Sequence, residues 1–244
     1  MRDFDYGGFH VRNDIRAAHR ALWEHLAAPG SWWTGAQRIA IATEARCADA
    51  CGFCTERKVA LSPAAIHGAH DSAGVLPSNV VDVIHRVRTD PARLSRQWFD
   101  AVAAGGIDDG SYVELIGVVT MLTGVDYFAR ALGIAPFPLP TPRSGEPSRY
   151  RPAAAKPGPA WVPLIDPDDA AGAEADLYPP GAMIPNIVRA LSLVPTEVRM
   201  LQRLAASHYL PIEQIGDPSA RRALDRLQIE LVAARVSALN QCFY

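Results

Sequence analysis

The chain lacks a strong excess of either charge. Its 24 Lys and Arg residues nearly balance its 26 Asp and Glu residues, which gives a net charge of −2 and an isoelectric point of about 6.4. This composition excludes a broad basic field of the kind that binds nucleic acid or an anionic membrane. We therefore expect no nucleic-acid partner and no membrane partner.

A long uninterrupted apolar run is also missing. The N-terminal residues 1–8 carry no apolar stretch of the kind found in a signal peptide. The most apolar segment, residues 112–134, is interrupted by Glu114, Asp126 and Arg130, so we expect that it does not span a bilayer. These two absences predict a cytoplasmic protein.

Convincing alternation of apolar and polar residues is missing too, so the sequence predicts no β-strand. Helical periodicity and helix-start signals dominate instead, and they predict an all-α fold. Capping boxes at Thr34 and Ser111 predict helices over residues 34–59 and 111–133. Ser62-Pro63 and Asp90-Pro91 mark the starts of two further helices. The other predicted helices are residues 14–28, 184–192, 196–206 and 217 to the end.

Prolines concentrate in the middle of the chain. Thirteen of the 20 prolines fall in residues 136–185. Proline at this density prevents helix interiors and favours an extended, stiff connector. The apolar run Trp161–Ile165 within it predicts that part of the connector lies on the protein surface.

Cysteines are few, and three of the four lie close together. Cys47, Cys51 and Cys54 fall within eight residues of a chain with no export signal, which favours a redox or metal-binding role over a disulfide framework. Cys51 and Cys54, three residues apart, share a helix face or flank the tight turn that opens the next helix. Either placement lets the two sulfurs form a short disulfide.

Charged groups near these cysteines suit thiol chemistry. Arg57 and Lys58 supply positive charge within a turn of Cys54, and positive charge lowers the pKa of a thiol. Glu44 lies on the same predicted helix face as Cys51 and Cys54, where it can move a proton to a leaving alkoxide.

Metal binding is the main alternative reading of the same cysteines. Cys47, Cys51 and Cys54 with His67 or His70 would give the thiolate and imidazole ligands that zinc prefers. The two histidines fit equally a proton relay or a solvated loop. His85 and His208, each on a predicted helix, are expected to be surface or core residues and not ligands.

The end of the chain repeats features of the first cysteine segment. At an offset of 191 residues, Cys242 aligns with Cys51, and both follow a long Ala-rich helix. Glu230 lies twelve residues before Cys242, on roughly the same side of the helix. We expect two related units, residues 1–135 and residues 186–244, joined by the Pro-rich connector 136–185.

Glu230, eleven further residues and Cys242 resemble the AhpD-like alkylhydroperoxidase branch of the carboxymuconolactone decarboxylase superfamily. Its pattern is Glu, eleven residues, Cys-x-x-Cys, three residues and His. The resemblance implies an AhpD-like helical bundle, oligomeric assembly, and thiol-dependent peroxide reduction without metal, haem or other cofactor. It also implies that Glu230 relays protons and that Cys242 is the resolving thiol.

The first unit matches that pattern only in part. Cys51 and Cys54 match the cysteine pair, but Ile39 and Lys58 occupy the glutamate and histidine positions. The resemblance therefore implies an active first site only if Glu44 or a loop histidine takes over the role of the missing glutamate or histidine.

The second unit ends one position before its expected second cysteine. Some members of this superfamily carry selenocysteine in the redox pair, and we hypothesise a selenocysteine codon read as a stop after residue 244. The chain as it stands is then expected to be weakly active or inactive, because its second site lacks the attacking atom.

The sequence as a whole predicts a thiol- or selenol-dependent peroxidase acting on organic hydroperoxides. An external dithiol would reduce it, and its apolar helices predict a homodimer. Two alternatives remain: a decarboxylase-like member of the same superfamily, which would not need the cysteine pair, and a non-catalytic redox-sensing or assembly module.

Overall fold

The structure, a computed structural model, describes residues 4–239 and is all-helical there. Within that range nine α-helices form and no β-strand, apart from one isolated bridge between Lys156 and Leu164. The helices are Asn13–Ala27 (α1), Gly35–Cys47 (α2), Gly52–Val59 (α3), Ser78–Thr89 (α4), Arg96–Ala104 (α5), Asp109–Ala131 (α6), Asn186–Arg189 (α7), Pro195–His208 (α8) and Arg226–Leu239 (α9).

Several helix boundaries follow the signals in the sequence. Thr34 forms the predicted capping box with Gln37 at the start of α2. α6 begins at Asp109, two residues before its predicted start at Ser111, because Asp108 is the capping residue and its side chain accepts the Ser111 N–H. It ends before Gly133, whose φ of 70° suits a residue without a Cβ.

Other predicted boundaries are wrong. The Ser62-Pro63 and Asp90-Pro91 signals open only short 3-10 turns, Pro63–Ala65 and Pro91–Arg93. α9 begins at Arg226 instead of near residue 217, because Asp225 and Gln228 form a reciprocal cap there. The α4 helix, which is rich in β-branched residues, was predicted only as a helix that carries His85, and its bounds were not predicted.

The predicted helix over residues 34–59 is broken. α2 ends at Cys47, a 3-10 turn follows at Ala48–Ala50, and Cys51 takes an extended conformation before α3 begins at Gly52. The expectation that Glu44, Cys51 and Cys54 share one helix face is therefore wrong.

The long helix α6 lies at the centre of the packing. It contacts α1, α2, α4 and α8, and most of its apolar residues are buried. Among the described helices it is also the one that is long and apolar enough to cross a membrane by length and composition, a test that core helices pass as well.

The Pro-rich segment packs against the helices. The rings of Phe137 and Phe4 pack edge to face, with their centroids 4.7 Å apart. The indole of Trp23 donates a 2.7 Å hydrogen bond to the Pro138 carbonyl. Further along, Leu164 and Ile165 are buried in the interior. The prediction that part of the segment lies on the protein is confirmed. The boundaries of the two proposed units remain a prediction.

A buried charge network joins α2, α6 and α8. The fully buried guanidinium of Arg38 donates hydrogen bonds to Glu114 and, at 3.0 Å, to Glu197, which also contacts His25 at 2.8 Å. Burial raises the pKa of Glu197, but His25 and Arg38 outweigh it and lower that pKa to about 2. Arg38 thus holds together three helices through charges that water does not reach.

A second polar group is buried between α1 and α8. His19 forms a hydrogen bond with the Tyr6 hydroxyl at 3.0 Å and another with His208 at 2.8 Å. Burial and, to a smaller extent, the neighbouring His208 lower the pKa of His19 from 6.5 to about 3. His208 is exposed and pairs with His19, so it is a surface residue, one of the two placements expected for it.

The buried His19 predicts a pH dependence of stability. Between about pH 6.5 and pH 4 the unfolded chain binds a proton at this position and the folded chain does not, so the folded state loses up to ~1.4 kcal/mol per pH unit as the pH falls. We expect the free energy of unfolding, measured by urea titration, to fall more steeply with acidification in the native chain than in His19→Gln. His10→Gln, at an exposed histidine, should parallel the native chain. If the stability of the native chain and of His19→Gln fell equally with acidification, the pH dependence would not come from His19.

Candidate functional site

The break between α2 and α3 places the two cysteines. Cys51 is the residue that precedes α3, and Cys54 lies in its first turn. The Gly52 N–H, which has no partner within the helix, donates a 2.7 Å hydrogen bond to the Asp71 carboxylate. The predicted alternative in which the pair flanks a helix-opening turn is therefore confirmed.

The loop between α3 and α4 brings His70 to the two sulfurs. A Cβ on Gly68 would lie 2.7 Å from the Phe53 ring, so a residue without a side chain lets the loop cross there. The Nδ1 atom of His70 lies 3.4 Å from Cys54 Sγ and 3.7 Å from Cys51 Sγ. Its Nε2 atom lies 3.0 Å from an oxygen of Asp82.

A second histidine reaches Cys54 from α4. His85 is fully buried, and its Nδ1 atom lies 3.1 Å from Cys54 Sγ. Its Nε2 atom lies 2.8 Å from Oε1 of Glu44 on α2. The other oxygen of Glu44 accepts hydrogen bonds from Ser72 Oγ and the Ala73 N–H, both at 3.0 Å. Glu44, His85 and Cys54 thus form one continuous chain of contacts.

The environment favours a thiolate at Cys51. Burial opposes ionisation, but the N–H groups of Cys54 and Asp71 and the ring of His70 outweigh it and lower the pKa of Cys51. For His70, burial lowers the pKa, while Asp82 and the two cysteines raise it to about 10. Both shifts favour the charged forms, a thiolate at Cys51 and an imidazolium at His70, and these two charges attract each other.

His85 has the opposite character. Burial lowers its pKa, and the hydrogen bond to Glu44 offsets this only in part, so the ring is neutral near pH 7. Because a carboxylate only accepts hydrogen bonds, the proton of a neutral His85 lies on Nε2. Nδ1 is then free to accept the proton of the Cys54 thiol.

A pocket of about 370 Å³ lies next to this cluster. His70 and Asp82 line one part of it, and Phe53, Leu76 and Val81 supply apolar surface. His70 belongs both to the pocket lining and to the cluster, whereas neither cysteine lines the pocket. Cys54 keeps 4% of its surface exposed and Cys51 keeps none, so Cys54 is the more accessible of the two.

The structure brings together three of the five predicted site residues: Cys51, Cys54 and Glu44. Glu230 lies apart from them on α9, where it binds Arg226 at 2.8 Å and the Tyr209 hydroxyl. Cys242 lies outside the described residues, so its predicted role stays a prediction.

Other expectations are corrected. Cys47 is not part of the cluster, and of the two alternative histidines His70 belongs to it while His67 is exposed. The zinc ligand set predicted from the sequence is therefore wrong at Cys47, and His85 is the fourth member instead. His85, expected to be an ordinary surface or core residue, contacts Cys54 directly. Asp82 was missed as well, because only the packing of α4 on α3 shows that it faces His70.

Comparison of the chain with protein-family models, curated proteins and solved structures finds no match.

Proposed function

We propose that the chain reduces organic hydroperoxides, with Cys54 as the attacking thiol and Cys51 as the resolving thiol. The contact chain from Glu44 through His85 to Cys54 carries this proposal, since it links a buried carboxylate to the sulfur through a neutral imidazole. The family resemblance supports it too. In the first unit, Ile39 and Lys58 occupy the positions of the family's glutamate and histidine. Glu44, a carboxylate, and His70, a loop histidine, lie near the cysteines and can take over those two roles.

The first step forms a sulfenic acid. The Cys54 thiol gives its proton to Nδ1 of His85, and the thiolate attacks the terminal oxygen of ROOH. The O–O bond breaks, and the departing alkoxide takes the proton from His85 and leaves as ROH. Glu44 stabilises the imidazolium that forms in between.

The second step forms the disulfide. The Cys51 thiolate attacks Cys54 Sγ, which lies within 4.8 Å, and the S–O bond breaks. The departing hydroxide takes a proton from the His70 imidazolium and leaves as water. An external dithiol then reduces the disulfide, becomes a disulfide itself, and restores the proton of His70 and the two sulfurs.

Two observations support this division of roles. The greater exposure of Cys54 and its contact with His85 suit the sulfur that meets the peroxide. The lowered pKa of Cys51 suits the resolving sulfur, because a thiolate is the form that attacks. The apolar side of the neighbouring pocket suits the organic part of the hydroperoxide.

Peroxide consumption with dithiothreitol as the reductant tests the proposal. We expect multiple turnovers of cumene hydroperoxide by the native chain, none by Cys54→Ser, and native turnover by Cys47→Ser. Cys51→Ser should stop after one oxidation and accumulate a sulfenic acid that dimedone traps. A native chain that is oxidised once without turnover would favour the redox-sensing module. Superfamily decarboxylase activity that survives both cysteine substitutions would favour that alternative.

The assembly proposal has separate support. α9 exposes five large apolar side chains, each at least half exposed: Leu227, Leu231, Val232, Val236 and Leu239. Burying such a face between two copies is the usual way to stabilise it, so a homodimer remains the proposed state.

A further inference from the structure

We propose that Cys51, Cys54, His70 and His85 form a tetrahedral site for a thiophilic divalent cation, Zn²⁺, and that occupancy of this site blocks peroxide reduction. The metal site stands on geometry alone. The regulatory half of the inference rests on the proposed function.

The four ligand atoms are arranged as a zinc ion requires. With Zn–S bonds of about 2.3 Å and Zn–N bonds of about 2.0–2.1 Å, tetrahedral angles place sulfur and nitrogen ligands about 3.6 Å apart. Three of the four sulfur-to-nitrogen distances among these residues are 3.1, 3.4 and 3.7 Å, and all four atoms lie within 4.8 Å of one another. An ion can therefore enter with small side-chain movements.

The partners of the two histidines strengthen the assignment. Both rings present Nδ1 to the sulfurs and direct Nε2 to a carboxylate, Asp82 for His70 and Glu44 for His85. Carboxylates in this position fix the ring orientation of zinc-bound histidines and increase their basicity. Two such pairs around one Cys2His2 set are more than a simple thiol relay needs.

Occupancy would use the same sulfurs that the proposed reaction uses. A bound Zn²⁺ would take one lone pair of each thiolate and the Nδ1 atoms of both histidines, and its binding would release protons to solvent. Neither His85 nor the Cys54 sulfur would then be available to a peroxide. The metal would thus protect the reduced pair, and removal of the metal would restore it.

Zinc titration of the fully reduced native chain, with a chromophoric chelator as competitor, tests the site. We expect one Zn²⁺ per chain, loss of that ion in Cys51→Ser, and native binding in Cys47→Ser. Co²⁺ in place of zinc should give the intense ligand-field absorption of a tetrahedral site with thiolate ligands.

A milder variant covers the case in which Cys51→Ser does not fold. Asp82 is partly exposed and supports His70 only indirectly, so Asp82→Asn should fold and bind zinc about 10–100-fold more weakly. Asp100→Asn, which breaks an exposed ion pair, is the control and should bind as the native chain does. Less than one ion per chain, an octahedral cobalt spectrum, or native affinity in Asp82→Asn would overturn the site.

The two proposals fail separately. Zinc binding without peroxide turnover in the metal-free chain would sustain the metal site and refute the proposed function. Peroxide turnover in a chain that binds no zinc would sustain the proposed function and refute the metal site. Turnover that one equivalent of Zn²⁺ leaves unchanged, in a chain that binds it at these residues, would overturn the regulatory half alone.

Discussion

Replacing His85 with asparagine is expected to lower the rate of hydroperoxide reduction near pH 7 by about 10²- to 10⁴-fold, the usual contribution of a positioned acid–base group. His85 is the group that can take the Cys54 proton and return it to the alkoxide. Its contact with Cys54 Sγ is 3.1 Å, and Glu44 holds its other nitrogen. The rate of peroxide consumption under single-turnover conditions measures the effect.

The pH profile separates a chemical role of His85 from a structural one. Without His85 the Cys54 thiol must lose its proton to solvent, so the rate of the variant should keep rising with pH where the native rate has levelled off. His67→Asn removes an exposed histidine of the same region and should match the native chain. A His85→Asn chain that is folded, by circular dichroism and thiol counting, and reacts at the native rate would refute the relay.

Replacing Arg38 with methionine is expected to lower the free energy of unfolding by about 3–5 kcal/mol. The substitution removes the positive charge that Glu114 and Glu197 share, and leaves both carboxylates buried between α2, α6 and α8. Urea unfolding followed by circular dichroism measures the loss.

Two comparisons make the Arg38 result specific. Arg96→Met breaks an exposed pair with Asp100 and should cost about 1 kcal/mol or less. Combining Arg38→Met with Glu114→Gln and Glu197→Gln should recover part of the loss, because no buried charge then lacks a partner. A loss for Arg38→Met as small as that for Arg96→Met would contradict the proposed importance of the network.

The all-α class could be predicted from the sequence because helix signals recur along it. Thr34 with Gln37 begins α2 as a local capping box should, since such a cap depends on few neighbours. The bounds of α4 were beyond the same reasoning, although a helix was expected at His85. Its run of Val80, Val81 and Val83 disfavours a helix locally, and burial of these side chains in the core outweighs that preference.

The site could be predicted only where neighbours in sequence are also neighbours in space. Cys51 and Cys54 are three residues apart, and their association follows from any helical or turn geometry. His85 is 31 residues beyond Cys54, and it reaches the sulfur only because α4 packs on α3. Glu44 does lie near the sulfurs, but not for the predicted reason, since it is connected to them through the loop and α4 and not through a shared helix face.

The most direct test of the account is the oxidation product of the cysteine pair. A chain with Cys47→Ser and Cys242→Ser, fully reduced and freed of metal, would be treated with one equivalent of cumene hydroperoxide and digested for mass spectrometry. We predict an intramolecular disulfide between Cys51 and Cys54, with one cumyl alcohol formed per chain. Both thiols remaining reduced while the hydroperoxide persists would contradict the account.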